Sequence, residues 1–463
     1  MSSSPSSTQG AGAPERLSRG TVTRYALGSL GTGGFATLPG LVLVYYLTDT
    51  LGVAALLAGL IVTGAKVWDV LIDPVIGGLS DRSLARTGSR RGPMLLGAIG
   101  LPFAFVLTFA VPPGLQPATS ALWVLVAFVA AATFFSLFQV PYIALPAELT
   151  DGYRERTRLL TWRVVVLTVA ILLFGAGGPE IRGLFPDDPT LGYLAMAVVA
   201  ALLLGAGLWI ASTVAPRSGA PAAAEVPTTA TRVFSLSHYR EGVAALRESQ
   251  PFRALLGTFV LQALATGMML AGAQFVATWI LRDEGAVTVL FASLIAPALL
   301  VAPVWQKVAD RIGKERGFRI ASMIFLLATL VMVAMLWAPG WWIAVPVGVA
   351  GAAYAGMQTL PMAMLPDVIA SEGKERAGVF GGVWTAGETA GMALGSTVLT
   401  IVLALTGYLE STAGVSVEQP ASAVVGIALS FSLIPALLML ASLAVLGRYR
   451  LRERDVNPGG QQA

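Results

Sequence analysis

The chain has 463 residues, of which 55% are hydrophobic and 12% charged, and its mean hydropathy is +0.74. That balance excludes a water-soluble globule and points to a membrane protein. There is no cysteine, so disulfides and thiolate metal sites are excluded.

The first 20 residues, MSSSPSSTQGAGAPERLSRG, are rich in Ser, Pro and Gly and lack the apolar core of a cleavable signal peptide; they read as a disordered tail. Apolar stretches near or above the ~20 residues that cross a bilayer then recur. They fall at 24–48, 54–79, 92–112, 119–148, 159–179 and 190–214, then at 252–281, 286–308, 318–338, 341–369, 376–405 and 420–447. Lipid satisfies no backbone polar group, so these predict an all-α membrane protein with twelve transmembrane helices. Between the sixth and seventh, 215–250 begins Pro, Ala and Thr rich and continues as FSLSHYREGVAALRES, which predicts a surface helix carrying the one histidine, His238. The expected organisation is a tail (1–20), a six-helix bundle (21–214), a linker (215–250), a second bundle (251–447) and a tail (448–463).

Of the 30 Lys and Arg, all but Lys66, Arg163, Arg182 and Arg282 lie in the tails, in alternate loops or at the span ends that adjoin them. By the positive-inside bias both termini are expected in the cytoplasm. The net charge of +4 therefore reports topology and gives no reason to expect nucleic acid.

The second span contains KVWDVLIDPVIGGLSDR. Asp69 and Asp73 are one turn apart, on one helix face. At ~1.5 Å per residue they lie roughly 18 and 12 Å from Asp81 at the helix end, near mid-membrane, where two unpaired like charges are costly. A cation, a proton or a basic side chain must offset them.

The halves repeat. PYIALPAELTDGYRERTR at 141 returns as PMAMLPDVIASEGKERAG at 361, and DPVIGGLSDR at 73 returns as APVWQKVADR at 302. Such a parallel duplication is the arrangement expected of a rocking-bundle transporter with a substrate site between its halves. Asp81 and Arg82 recur as Asp310 and Arg311, whereas Asp69 and Asp73 align with Ala298 and Ala302. The fold builds this helix without the acidic pair, so the pair reads as an addition for function.

WDVLIDPVIGGLSDR, LPAELTDGYRERTR and YYLTDTLG together resemble the glycoside, pentoside and hexuronide cation symporters of the major facilitator superfamily, a lineage shared with the sodium-dependent lysophospholipid transporter. The resemblance implies the major facilitator fold, two six-helix pseudo-repeat bundles, and cation-coupled symport of an organic solute by alternating access, a glycoside first and a lysolipid-like amphiphile second. It makes Asp69 and Asp73 cation ligands, with Ser136 as a helix-four hydroxyl; Na+ and H+ both fit. Lys66 offers the alternative of an internal salt bridge. The family's acid in helix one is replaced by Gly33 and Gly34, and the one in helix four by Gln139. Arg163 matches a helix-five arginine and is expected to face the cavity and hold an anionic group, or else to pair with a buried acid. Glu388 stands where the family often has lysine, as a candidate proton carrier, although Gly387, Gly391 and Gly395 around it also suit close helix packing.

Tyr142, Gln358, Trp384 and Thr385 complete the expected substrate residues, with Gln262, Gln274 and Tyr354 as further polar candidates. Asp81, Arg82, Glu148, Asp310 and Arg311 are the expected cytoplasmic gate. No nucleotide loop, nucleophile elbow or His-rich metal cluster occurs, so no enzyme and no cofactor beyond the coupling ion are expected. The expected partners are a small or amphiphilic solute and the bilayer of the cell (inner) membrane, with the protein a monomer. A reading of another class is a non-transporting membrane assembly or pigment-delivery factor.

Overall fold

The computed structural model describes residues 16–150, 153–216, 246–372, 377–415 and 417–451. His238 and the surface helix expected around it fall outside the described residues, apart from the last few positions of that segment. Among the described residues twelve helices are long and apolar enough to cross a membrane. In chain order they are α1 (Arg19–Thr50), α2 (Ala55–Thr87), α3 (Arg91–Phe109), α4 (Pro117–Pro146), α5 (Glu155–Gly183) and α6 (Pro189–Ser212). The second set is α7 (Gln250–Ile280), α8 (Ala286–Ile312), α9 (Lys314–Leu336), α10 (Trp341–Ser371), α11 (Val379–Leu405) and α12 (Ala421–Leu446).

These are the twelve expected spans, and the ends that moved have local reasons. α1 begins at Arg19, ahead of the expected 24, because the Ser18 hydroxyl accepts the Thr21 N–H at 3.1 Å and closes an extra turn. Asp188 does the same for α6, accepting the Leu191 N–H at 2.9 Å just ahead of Pro189. α2 starts differently. Its N-cap, Ala54, has no side chain to offer, and Glu410 from the loop after α11 accepts the Ala55 N–H at 2.9 Å.

Helices α1–α6 and α7–α12 pack as two bundles, which meet along α1–α7, α2–α11 and α5–α8. The last two contacts are images of one another under the six-helix repeat. Within the second bundle, glycines seat α11 on α7: a Cβ at Gly391 would lie 2.8 Å from the Ala263 Cβ, and one at Gly395 2.4 Å from the Met268 nitrogen. The small-residue spacing of α11 is thus a packing face. Glu388 follows Gly387 and is turned about 100° away from that face.

Among the described residues, every hydrogen bond and ion pair joining the bundles lies toward the face opposite the chain termini. The deepest in α2 involves Thr63, whose hydroxyl sits 2.5 Å from that of Thr397 and donates to the Ala393 carbonyl at 3.0 Å. At the outer edge Arg182 contacts Glu284 at 3.2 Å, and the Ser411 and Ala413 N–H groups donate to the Thr48 and Thr50 carbonyls, each at 3.0 Å.

Candidate functional site

Asp69 and Ser136 are brought together. The buried Ser136 hydroxyl donates to Asp69 Oδ1 at 2.8 Å, joining α2 to α4 in mid-span. Lys66 Nζ lies 3.9 Å from Asp69 Oδ2 and 5.4 Å from the centre of the Phe35 ring, so its charge is divided between a carboxylate at the limit of contact and an aromatic face. Asp73 adjoins the same group, within electrostatic reach of Ser136, Asp69 and Lys66. The cluster is two carboxylates, one hydroxyl and one ammonium.

In the same bundle, Arg163 lies over the Tyr142 ring at 5.1 Å. Tyr142 is fully buried, stacks on Tyr25 at 4.6 Å and donates its hydroxyl to the Tyr25 carbonyl at 2.8 Å. It therefore supports Arg163 from behind and does not line an open cavity. Among the described residues no carboxylate pairs with Arg163. Gln139 is engaged as well, accepting from the Thr32 hydroxyl at 2.8 Å. Gly33 and Gly34 have a steric reason: a Cβ at Gly33 would meet the Ala170 Cβ at 2.7 Å and the Leu167 carbonyl at 3.0 Å, and one at Gly34 would meet Leu204 at 2.6 Å.

In the second bundle, Glu388 is electrostatically coupled to Tyr354, whose hydroxyl accepts from Gln358 Nε2 at 2.8 Å. No cationic side chain pairs with Glu388 among the described residues, and the alternative of an Arg163–Glu388 ion pair is not observed. Trp384, expected to touch substrate, is 2% exposed because Phe259 stacks on it at 4.4 Å. Thr385 is exposed, with its hydroxyl donating to the Gly381 carbonyl at 3.2 Å. Gln262 donates to the Ser322 hydroxyl at 2.8 Å and Gln274 to that of Thr278 at 3.2 Å, so both amides also serve packing.

The charged residues at the terminus face divide. In the first bundle Arg90 contacts Asp81 Oδ1 at 2.7 Å, bonds Glu148, and donates to the Ser80 hydroxyl at 2.7 Å, tying the ends of α2, α3 and α4. Burial alone would lower the Arg90 pKa, but its bonds to Glu148 and Asp81 outweigh that and raise it. Arg82 is exposed outside this network. In the second bundle Asp310 and Arg311 are exposed and form no ion pair among the described residues; the pair there is Lys314 with Asp367, at 2.6 Å.

A polar cluster on the opposite face was not expected as a site. Asp49, Trp279 and Tyr408 converge there, with the Tyr408 hydroxyl between the other two. Asp49 lies in the YYLTDTLG run already singled out, but its partner is 359 positions away.

Two bundles related by repeat, polar clusters in mid-span and a cross-bundle seal on one face define a multi-pass membrane transporter. Residues 24–453 match the family described as MFS/sugar transport protein, and the chain belongs to that family, which is one of transporters and not of enzymes. It is 24% identical to the glucuronide carrier protein homolog of Escherichia coli, over 95% of this chain and 94% of that one. It is 26% identical to the mouse sphingosine-1-phosphate transporter MFSD2B, over 76% of this chain and 73% of the relative. In fold it is similar to a D-xylose–proton symporter, with a TM-score of 0.65 at 14% identity, covering 94% of this chain and 98% of that structure.

Proposed function

We propose that the protein is a secondary symporter that couples a monovalent cation, Na+ or H+, to movement of a polar organic solute by alternating access. The observation that carries this is the bond from Ser136 to Asp69 beside Asp73 and Lys66. Two carboxylates and one ammonium leave a formal charge of −1 in mid-membrane, which one monovalent cation completes. Hard oxygens from both carboxylates and the hydroxyl are the donors such an ion needs.

The solute is read as glycoside-like, supported by the glucuronide carrier homolog among the relatives. Arg163, held on Tyr142 and without a carboxylate partner among the described residues, is the candidate for its anionic group. Glu388, Tyr354 and Gln358 present the polar surface of the other bundle. An amphiphilic substrate is the second reading, favoured by the similarity to the sphingosine-1-phosphate transporter. The positive-inside bias puts the terminus face in the cytoplasm, so the cross-bundle seal lies outside and the conformation is inward-facing. Arg90, Asp81 and Glu148 then form one half of the inner gate, and Lys314 with Asp367 the other.

The test is thermal stability of the purified protein with and without Na+ and at two pH values, repeated with glucuronides and lysolipids. Ligands that bind the folded state raise the melting temperature. An Na+- or pH-linked shift that disappears in Asp69→Asn and Asp73→Asn is expected. A shift unchanged in both variants sinks the cation site, and uptake absent for every solute favours an assembly role.

A further inference from the structure

α1 and α7 end alike. Tyr46–Thr50 and Val276–Ile280 are π turns, and the bonds that close them correspond at an offset of 230 residues. Leu51 N–H to Tyr46 carbonyl, 3.1 Å, matches Leu281 N–H to Val276 carbonyl, 3.0 Å; Val53 N–H to Leu47 carbonyl, 2.8 Å, matches Asp283 N–H to Ala277 carbonyl, 3.1 Å. Each turn leaves through a left-handed residue, Gly52 at φ 63° and Arg282 at φ 57°. Arg282 is the one non-glycine residue with positive φ among those described. π turns are rare and concentrate at functional positions. Here two occupy matching places on the helices that meet at the centre of the interface.

One side chain ties them together. The Tyr408 hydroxyl accepts from Trp279 Nε1 at 2.9 Å and donates to Asp49 Oδ1 at 2.5 Å, and Asp49 and Trp279 are themselves counterparts at the same offset. Burial, and then the Asp49 carboxylate, push the Tyr408 phenol up, so it keeps the proton it donates. Thr48 and Ser411 hold Asp49 in place: the Thr48 hydroxyl donates to its carboxylate at 2.5 Å and the Ser411 hydroxyl to its carbonyl at 3.2 Å. Tyr45 and Phe275, each just before its turn, meet edge to face at 5.1 Å.

We propose that Tyr408 is the gating residue of the face opposite the termini, its hydroxyl holding the two π turns together across the bundles, and that these turns are the hinges through which α1 and α7 part. Tyr408 and Trp279 both belong to the second bundle, so the link that must break is Tyr408 to Asp49. It is one reversible hydrogen bond, and it opens together with the bonds from Ser411 and Ala413 to Thr48, Asp49 and Thr50. The inference rests on the alternating-access reading above, but its test uses neither solute nor coupling ion.

The absence of native cysteines allows a spin-label pair at Leu184→Cys and Leu405→Cys, exposed positions at the ends of α5 and α11 on the gated face. Electron–electron distance distributions are then measured in lipid nanodiscs. Tyr408→Phe keeps the ring against Phe275 and Trp279 and removes only the hydroxyl; it is expected to raise the long-distance, open population on the order of tenfold. Asp49→Asn is expected to move it in the same direction by less. Amide exchange at Leu51, Val53, Leu281 and Asp283 is expected to quicken in both variants, which loss of an ordinary packing contact elsewhere does not produce. Unchanged distances in Asp49→Asn, whether or not Tyr408→Phe melts early, overturn the gate, and unchanged exchange at the four amides overturns the hinges.

Discussion

Gly52 and Arg282 occupy the same place in the two halves and share one left-handed backbone, at φ 63° and 57°. For glycine that conformation is free of steric cost, whereas a side chain places its Cβ against the backbone at about 1–2 kcal/mol. Arg282→Gly is therefore expected to stabilise the protein by up to about 1 kcal/mol, after the extra chain entropy of glycine is deducted. Gly52→Ala is expected to destabilise it by more, because the new Cβ also meets Thr412 Cγ2 at 3.0 Å. Melting temperatures of the two variants check the opposed signs.

Ser136→Ala removes the hydroxyl that bridges Asp69 to α4. The apparent cation affinity in uptake or thermal-shift titration is expected to fall on the order of tenfold, with maximal uptake little changed, since one oxygen donor is lost and both carboxylates remain. An unchanged affinity rules the hydroxyl out as a ligand.

Lys66 lies 3.9 Å from Asp69, where under the proposed cation site it would compete with the ion. Lys66→Gln makes the cluster more negative, and tighter cation binding is expected, on the order of tenfold for a charge removed at that range in a partly solvated site. Weaker binding in the same titration means that Lys66 orders the carboxylates and does not oppose the ion.

Gly33→Asp puts an acid near the place where the family resemblance leads one to expect it. It is expected to cost about 1–3 kcal/mol by overpacking against Ala170 and the Leu167 carbonyl, and to create no new sugar affinity. The check pairs a melting curve with glycoside binding; normal stability with new binding refutes the packing account.

The membrane architecture was legible because the bilayer imposes a length of apolar chain that no other constraint imitates. Asp69 and Asp73 were legible by cost, as carboxylates that lipid penalises, and of the expected gate residues Asp81 and Glu148 do meet, through Arg90. Asp49 with Tyr408 was not, since the partners are 359 residues apart and a tyrosine in a loop carries no local signal. Nor were the matching π turns, because the equivalence lies in backbone bonds while the sequences YLTDT and VATWI share little. Trp384, expected among the substrate residues, is instead covered by Phe259, a partner 125 positions away that its own stretch of sequence does not reveal. In the second repeat Asp310 and Arg311 kept the motif without its ion pair, and Lys314 with Asp367 stands in its place.

The helix that carries the two aspartates does not supply its own beginning. Ala54 cannot cap it, and Glu410 does so from the opposite bundle. When the bundles separate on that face, the first N–H of α2 loses its acceptor and the positive end of the helix dipole loses a carboxylate, at a cost of about 1 kcal/mol. The start of the aspartate-bearing helix is thereby tied to the closure of that face, through a residue 355 positions away in the chain.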